Sequence, residues 1–364
     1  MRKAFICPTK YVQGEDELLN LGYFVKTFGK KALLIADPFA LSLVKDKLAA
    51  TAEKYKIEFV SAGDIFKGEC SRTVVAKLQE VAKENKCACT IGLGGGKAID
   101  TSKCVAAGNP LIICPTIAAT DAPTSHSAVL YTDDHEFDDY AYFRQSPSVV
   151  LIDLNVIANA PARFLVSGMG DALATYFEAR ACWRTGARTM ARGNCSHTSL
   201  AMAKLCYDLL LEHSAKALEA VDRNEVNQDL ENVVEACIYL SGFGAICGGL
   251  AAAHAINDGL GAVPQIHANG TSHGEKVAFG LIAQLILEKA PEEEWNTVLD
   301  YIHAVGLPST LADLGVTEFV EADIRRAAKI AASPKEFTKN VRADITADEV
   351  YEAILAADKA GAAK

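Results

Sequence analysis

Short apolar runs and amphipathic stretches alternate through the first part of the chain. KKALLIAD (30–37) is an apolar run that ends in an acid, the pattern of a buried strand. The stretch 38–55, with Leu41, Leu43, Val44 and Leu48, predicts a helix. KIEFVSAG predicts a second strand, and TVVAKLQEVAKENK a second helix. CACTIGLGGG then predicts strand and turn, KAIDTSKCVAAG a helix, and PLIICPT another strand. This order implies a parallel sheet covered on both faces, with ligands collecting at the carboxyl ends of its strands. The last strand-like piece is SVVLIDLNVI (148–157). Beyond it come long helical runs: SLAMAKLCYDLLLEHSAKALEAV, DLENVVEACIYLSGFGAICGGLAAAHAI and GEKVAFGLIAQLILEKA. The expected organisation is an α/β domain over residues 1–160, a Rossmann-like parallel sheet, and an all-helical domain over 161–364, with a cleft between them as the default site.

Composition narrows the function classes. The chain has 364 residues, half of them hydrophobic, enough for two cores. A net charge of −10 without a basic block argues against nucleic acid or an anionic membrane surface as partner. The 11 cysteines follow no framework spacing and sit mostly in apolar runs, which reads as reduced, buried thiols of a cytoplasmic protein. No signal peptide or membrane span is expected.

Candidate chemistry lies at five places. GLGGGKAIDTSK (Gly92–Lys103) follows a strand and opens a helix. It fails the dinucleotide fingerprint, because Lys97 stands at the third glycine, and it fails the P-loop pattern at Ile91 and Ala98. Glycines that admit a ligand to the backbone, a helix N-terminus and a lysine still suit a pyrophosphate; a tight connection explains the same residues. Asp37 ends the first strand, where a carboxylate suits ribose hydroxyls and disfavours a 2′-phosphate, or caps the next helix. Asp171 in GMGDALATYFEA is expected at the start of a helix, after two glycines. His254 lies in an alanine-rich helix and His273 just before another. Each is ordinary alone. Together they offer one carboxylate and two imidazoles, a set that suits zinc with an open position.

Taken together, PTKYVQG, GLGGGKAIDTSK, PTIAATDAPTS, NAPARFLVSGMGDALATYFEA, AAAHAIND and SHGEKVAFG resemble the glycerol dehydrogenases of the iron-containing (group III) alcohol dehydrogenase family, whose fold dehydroquinate synthase shares. The resemblance implies an NAD-binding domain, a helical metal domain, and reversible oxidation of glycerol to dihydroxyacetone by NAD. It implies metal ligands Asp171, His254 and His273, which would also bind the substrate, with Asp121 acting on the substrate hydroxyls. It implies cofactor contacts from Asp37, Gly95, Gly96, Lys97, Asp100, Thr116, Ser125 and Tyr131, with Ala119 and Ser127 on the nicotinamide side. A homo-oligomer, often an octamer, is implied as well.

Departures from the family pattern qualify these expectations. Thr175 stands where the iron-using branch carries a fourth ligand, a histidine, which favours zinc over iron. Asn257 replaces a second histidine. About two extra residues around HANGTS bring His267 into play beside His273. Ala119, His126 and Ser127 depart from the usual words near the nicotinamide and bear on substrate choice. The nearest alternative substrate is another vicinal diol or hydroxyketone, such as 1,2-propanediol or 2,3-butanediol. A non-catalytic NAD- and metal-binding protein is the alternative of another class.

Overall fold

Strand β2 (Lys31–Ile35) shows how the first part of the chain is layered. Its residues alternate between faces, as a strand requires. Ala32 and Leu34 pack with Phe24, Val25, Val44 and Leu48, whereas Leu33 and Ile35 pack with Leu78, Ala98 and Val105. The first group comes from helices α1 (Leu21–Phe28) and α2 (Pro38–Tyr55), the second from α3 (Arg72–Glu84) and α4 (Gly96–Ala106). Strands β1 (Lys10–Gly14), β3 (Glu58–Ser61), β4 (Cys89–Gly94), β5 (Leu111–Pro115) and β8 (Val149–Asp153) complete a parallel six-stranded sheet, in the order β1-β8-β5-β4-β2-β3. Strands β6 (Ser127–Tyr131) and β7 (Phe137–Tyr142) form a separate antiparallel hairpin. Neither β1 nor this hairpin was expected from the pattern.

This computed structural model describes residues 2–63 and 65–363. The chain divides into two compact units, Ile6–Ala162 with Ala217–Gly242, and Met1–Phe5 with Arg163–Lys216 and Phe243–Lys364. The expectation of a single change near residue 160 did not include this return of Ala217–Gly242 to the sheet-containing unit. Helices α5 (Leu154–Ala158), α6 (Ala162–Thr185) and α7 (His197–Asp222) follow the sheet.

The helical run expected over 229–256 is interrupted. Helix α8 (Gln228–Glu235) continues through a π turn, α9 (Ser241–Phe243) and a second π turn, Gly244–Gly248. It stops at Gly249, whose φ of 108° is a conformation that glycine alone adopts readily. Gln228–Gly248 is long and apolar enough to cross a membrane, but 72% of its most apolar window is buried within the protein, the environment of a core helix. Helices α10 (Ala252–Gly261), α11 (Pro264–Asn269), α12 (His273–Leu287), α13 (Glu292–Val305), α14 (Glu321–Ala331) and α15 (Ala347–Ala362) complete the chain.

Candidate functional site

Helix α6 begins nine residues before Asp171, which corrects the expectation that Asp171 opens a helix. The glycines around it do not break the helix; they seat another one. A Cβ on Gly274 would lie 1.7 Å from the Ser167 carbonyl oxygen, and one on Gly170 would lie 2.5 Å from the Gly274 carbonyl oxygen. Two backbones therefore meet where neither has a side chain, and the residues after and before the contact, Asp171 and His273, face each other. Gly280 brings α12 equally close to α10, since its Cβ would stand 2.5 Å from the Ala253 carbonyl oxygen. Ser272 caps α12 in a reciprocal capping box with Glu275, which fixes where that helix, and so His273, begins.

The result is one cluster. Asp171 Oδ1 lies 3.2 Å from His254 Nε2 and 3.3 Å from His273 Nε2. The three ligand atoms lie within 4.8 Å of one another, and the two imidazole rings have centroids 5.4 Å apart. Atoms bonded at ~2.0–2.1 Å to a tetrahedral ion stand about 3.3 Å apart, so the spacing fits a metal. His267 is on the exposed end of α11 and is not in the cluster. Thr175, one turn beyond Asp171, is buried, and its methyl group packs against Gly244.

Charge follows the geometry. Burial pushes the Asp171 carboxyl up, but His273 and His254 pull it down further, and it ends well below the usual carboxylate range. Burial pushes His254 down, and Glu178 and Asp171 outweigh it, so its imidazole is held well above its ordinary value. Sequence reasoning passed over two acids here. Glu178 hydrogen-bonds His254 Nδ1 at 2.6 Å and ends the same GMGDALATYFEA word. Asp258, one turn after His254, is pushed up by burial against the pull of His273, His254 and Lys276.

The other expected residues gather around β4 and α4. Gly94 has a φ of 141°, and Gly95, the N-cap of α4, provides no side-chain cap. A Cβ on Gly96 would meet nothing within 4 Å. The loop thus offers an open helix N-terminus, the arrangement that suits a phosphate. Asp37 accepts from the Ala40 N–H at 2.9 Å through Oδ1, capping α2, while its Oδ2 is directed toward Gly94. Thr116 is buried and donates its N–H to the Gly94 carbonyl at 3.1 Å. Lys97 pairs with Glu69 at 2.7 Å and sits over the Tyr131 ring; Glu69, which the sequence reading did not single out, also meets His135 Nδ1 at 2.9 Å.

Asp100 is engaged within the fold, accepting from the Val129 N–H at 3.0 Å and from Lys103 at 3.2 Å. Lys103 also donates to Ser125 Oγ and the Ser127 carbonyl, which fastens the start of β6. Asp121 Oδ2 accepts from Ser241 Oγ at 3.3 Å, and Thr124 Oγ1 donates to the Ile238 carbonyl at 2.8 Å, so the TDAPTS loop is docked on the π-turned helix. Ala119 lies partly exposed before this loop, and His126 is buried at its end.

A parallel sheet with an open glycine turn suits a dinucleotide, and a helical unit with one carboxylate and two imidazoles suits a divalent metal. The profile of the iron-containing alcohol dehydrogenase family matches residues 8–154. A glycerol dehydrogenase of Escherichia coli O6:H1 is 46% identical over 99% of this chain and 98% of its own length. A glycolaldehyde reductase of Halobacterium salinarum is 37% identical over 99% and 98%. The crystal structure of glycerol dehydrogenase from Schizosaccharomyces pombe superposes with a TM-score of 0.92 at 33% identity, covering 99% of this chain and 91% of that one. The chain belongs to the iron-containing alcohol dehydrogenase family, and the family's chemistry brings NAD and a divalent metal.

Proposed function

We propose that this enzyme oxidises glycerol at its secondary carbon to dihydroxyacetone, reversibly and with NAD, and that Asp171, His254 and His273 hold a zinc ion. The observation that carries the reading is the convergence of the two imidazoles, His254 and His273, on one Asp171 oxygen. Thr175 supports zinc, because a threonine, its methyl packed on Gly244, stands in the chain where the iron-using branch carries a histidine. A divalent ion in this set supplies Lewis acidity to a substrate hydroxyl. NAD supplies the hydride acceptor.

The chain's own residues do the rest. As ligands, the Asp171 carboxylate and the imidazoles of His254 and His273 would offset one charge of a divalent ion and leave it electrophilic. Asp121, held by Ser241, orients polyol hydroxyls by accepting their hydrogen bonds. Gly95, Gly96 and Lys97 receive the pyrophosphate at the α4 N-terminus, where Lys97 must exchange Glu69 for a phosphate. Asp37 faces the ribose. Thr116, Ala119, Ser125, Ser127 and Tyr131 line the remaining cofactor path, and Asp100 shapes it indirectly by holding β6. A cytoplasmic location belongs to the same reading, supported by the buried free thiols. So does a homo-oligomer, octameric by resemblance.

A second reading is reduction of a short hydroxyaldehyde or hydroxyketone, favoured by the 37% identity to a glycolaldehyde reductase over almost the whole chain. The test is absorbance of NADH with glycerol and NAD, before and after metal stripping and after return of zinc or iron. Activity lost with the metal and restored best by zinc is expected. Turnover of other diols or of glycolaldehyde, with glycerol inert, would move the substrate and point to Ala119, His126 and Ser127. No turnover with any of these would leave a non-catalytic binding protein.

A further inference from the structure

Helix α6 carries a second carboxylate that the chemistry above does not use. Glu178 lies seven residues after Asp171, two turns along the same face, and is fully buried. Its Oε2 is 2.6 Å from His254 Nδ1, while its Oε1 accepts from the N–H groups of Ala251 at 2.8 Å and His254 at 3.1 Å. Asp171 stands at the other ring nitrogen, Nε2. One helix therefore holds both nitrogens of one imidazole.

An imidazole that binds a metal through one nitrogen must carry its hydrogen on the other. We propose that Glu178 is a positioning residue that keeps this hydrogen on His254 Nδ1, so that the Nε2 lone pair faces the metal. The inference rests on the reading of Asp171, His254 and His273 as the ligand set.

Glu178 also caps α10, whose N-cap residue, Ala251, has no side-chain acceptor. The two roles fall to different oxygens, and this makes them separable. In Glu178→Gln the amide oxygen must serve the two backbone N–H groups, because an NH2 there would face two donors. The NH2 is then turned toward Nδ1, which becomes the acceptor, and the ring hydrogen moves to Nε2, where the metal would bind. The cap and the shape survive, and the tautomer reverses. Gln284 supplies the control: its Oε1 accepts from the Ala253 N–H at 2.9 Å, capping the same helix through a neighbouring N–H.

The experiment measures zinc affinity by competition with a chromophoric chelator, together with long-range proton–nitrogen NMR of histidine-labelled protein. His254→Ala is expected to abolish tight binding, and Glu178→Gln to weaken it about 10–100-fold. Gln284→Ala is expected to stay within about threefold of wild type, and zinc-loaded wild type to show the hydrogen on His254 Nδ1. Wild-type affinity in Glu178→Gln, with His254→Ala defective, would overturn the tautomer role and leave the ligand set standing. Equal weakening by Gln284→Ala would assign the effect to the cap and overturn it too. Normal zinc binding by His254→Ala would remove the ligand set itself and the proposal with it. Should Glu178→Gln not fold, the wild-type spectrum decides, since a hydrogen on Nε2 in the zinc-loaded protein contradicts the proposal.

Discussion

Glu336 is an acid with little to stabilise its charge. Burial pushes its carboxyl up from an ordinary 4.5 to about 7, Asp258 adds to the push, and Lys339 opposes it. Between those two values the folded protein binds more protons than the unfolded chain, so stability must fall as pH rises through the window. Urea midpoints of metal-free protein should therefore decline from pH 5 to pH 7.5, and Glu336→Gln should flatten the decline. An equal decline in the variant would place the effect elsewhere. Such pairings escape a sequence reading, because Asp258 and Glu336 are far apart along the chain and carry no shared word. The residues proposed as metal ligands were legible only as types. His254, His273 and Asp171 could be named from the words around them, whereas their convergence is a property of packed backbones. Lys97 could be singled out as a phosphate candidate, but its pairing with Glu69 was not legible, since GEC is an undistinguished loop.

The decisive element-scale contact is that of α6 with α12. Gly274→Ala would drive a Cβ into a backbone carbonyl, and backbone cannot swing aside as a side chain can. A loss of about 3 kcal/mol or more in urea unfolding is expected, with weakened divalent-metal binding as Asp171 and His273 are parted. Full stability in the alanine variant would show that the helices have room to slide. This contact also explains why the sequence misplaced the start of α6. Glycine in a helix usually marks an end, because it is the weakest former after proline. Here the packing of α12 over Gly170 outweighs that preference. Strands β2, β4, β5 and β8 were readable because each is a mainly apolar run, whereas the parallel strand β1, KYVQG, was not. The β6–β7 hairpin was not, because FDDYAY is almost wholly exposed and shows no alternation of burial.

Across the whole molecule, Cys7 is exposed, Cys87 half-buried and the other cysteines buried, all as free thiols. Burial, helped by Cys87, pushes Cys89 up to about 12, so its thiolate is scarce at neutral pH. A thiol reagent should titrate one group quickly in the native enzyme, a second slowly, and all 11 after denaturation. Rapid reaction of many thiols in the native state would mean that the interior opens far more readily than its packing suggests. The apolar runs around the cysteines made this state legible. The return of Ala217–Gly242 to the sheet-containing unit was not, because its helical pattern matches that of its neighbours. That return has a bearing on how the enzyme is made. A ribosome must release about two thirds of the chain before either unit holds all its segments. The nascent sheet waits through the synthesis of α6 and α7 for its last helix, and Asp171 waits longer still for His273. No single cut in the gene yields one intact unit, so exchanging a whole unit between relatives takes four crossovers.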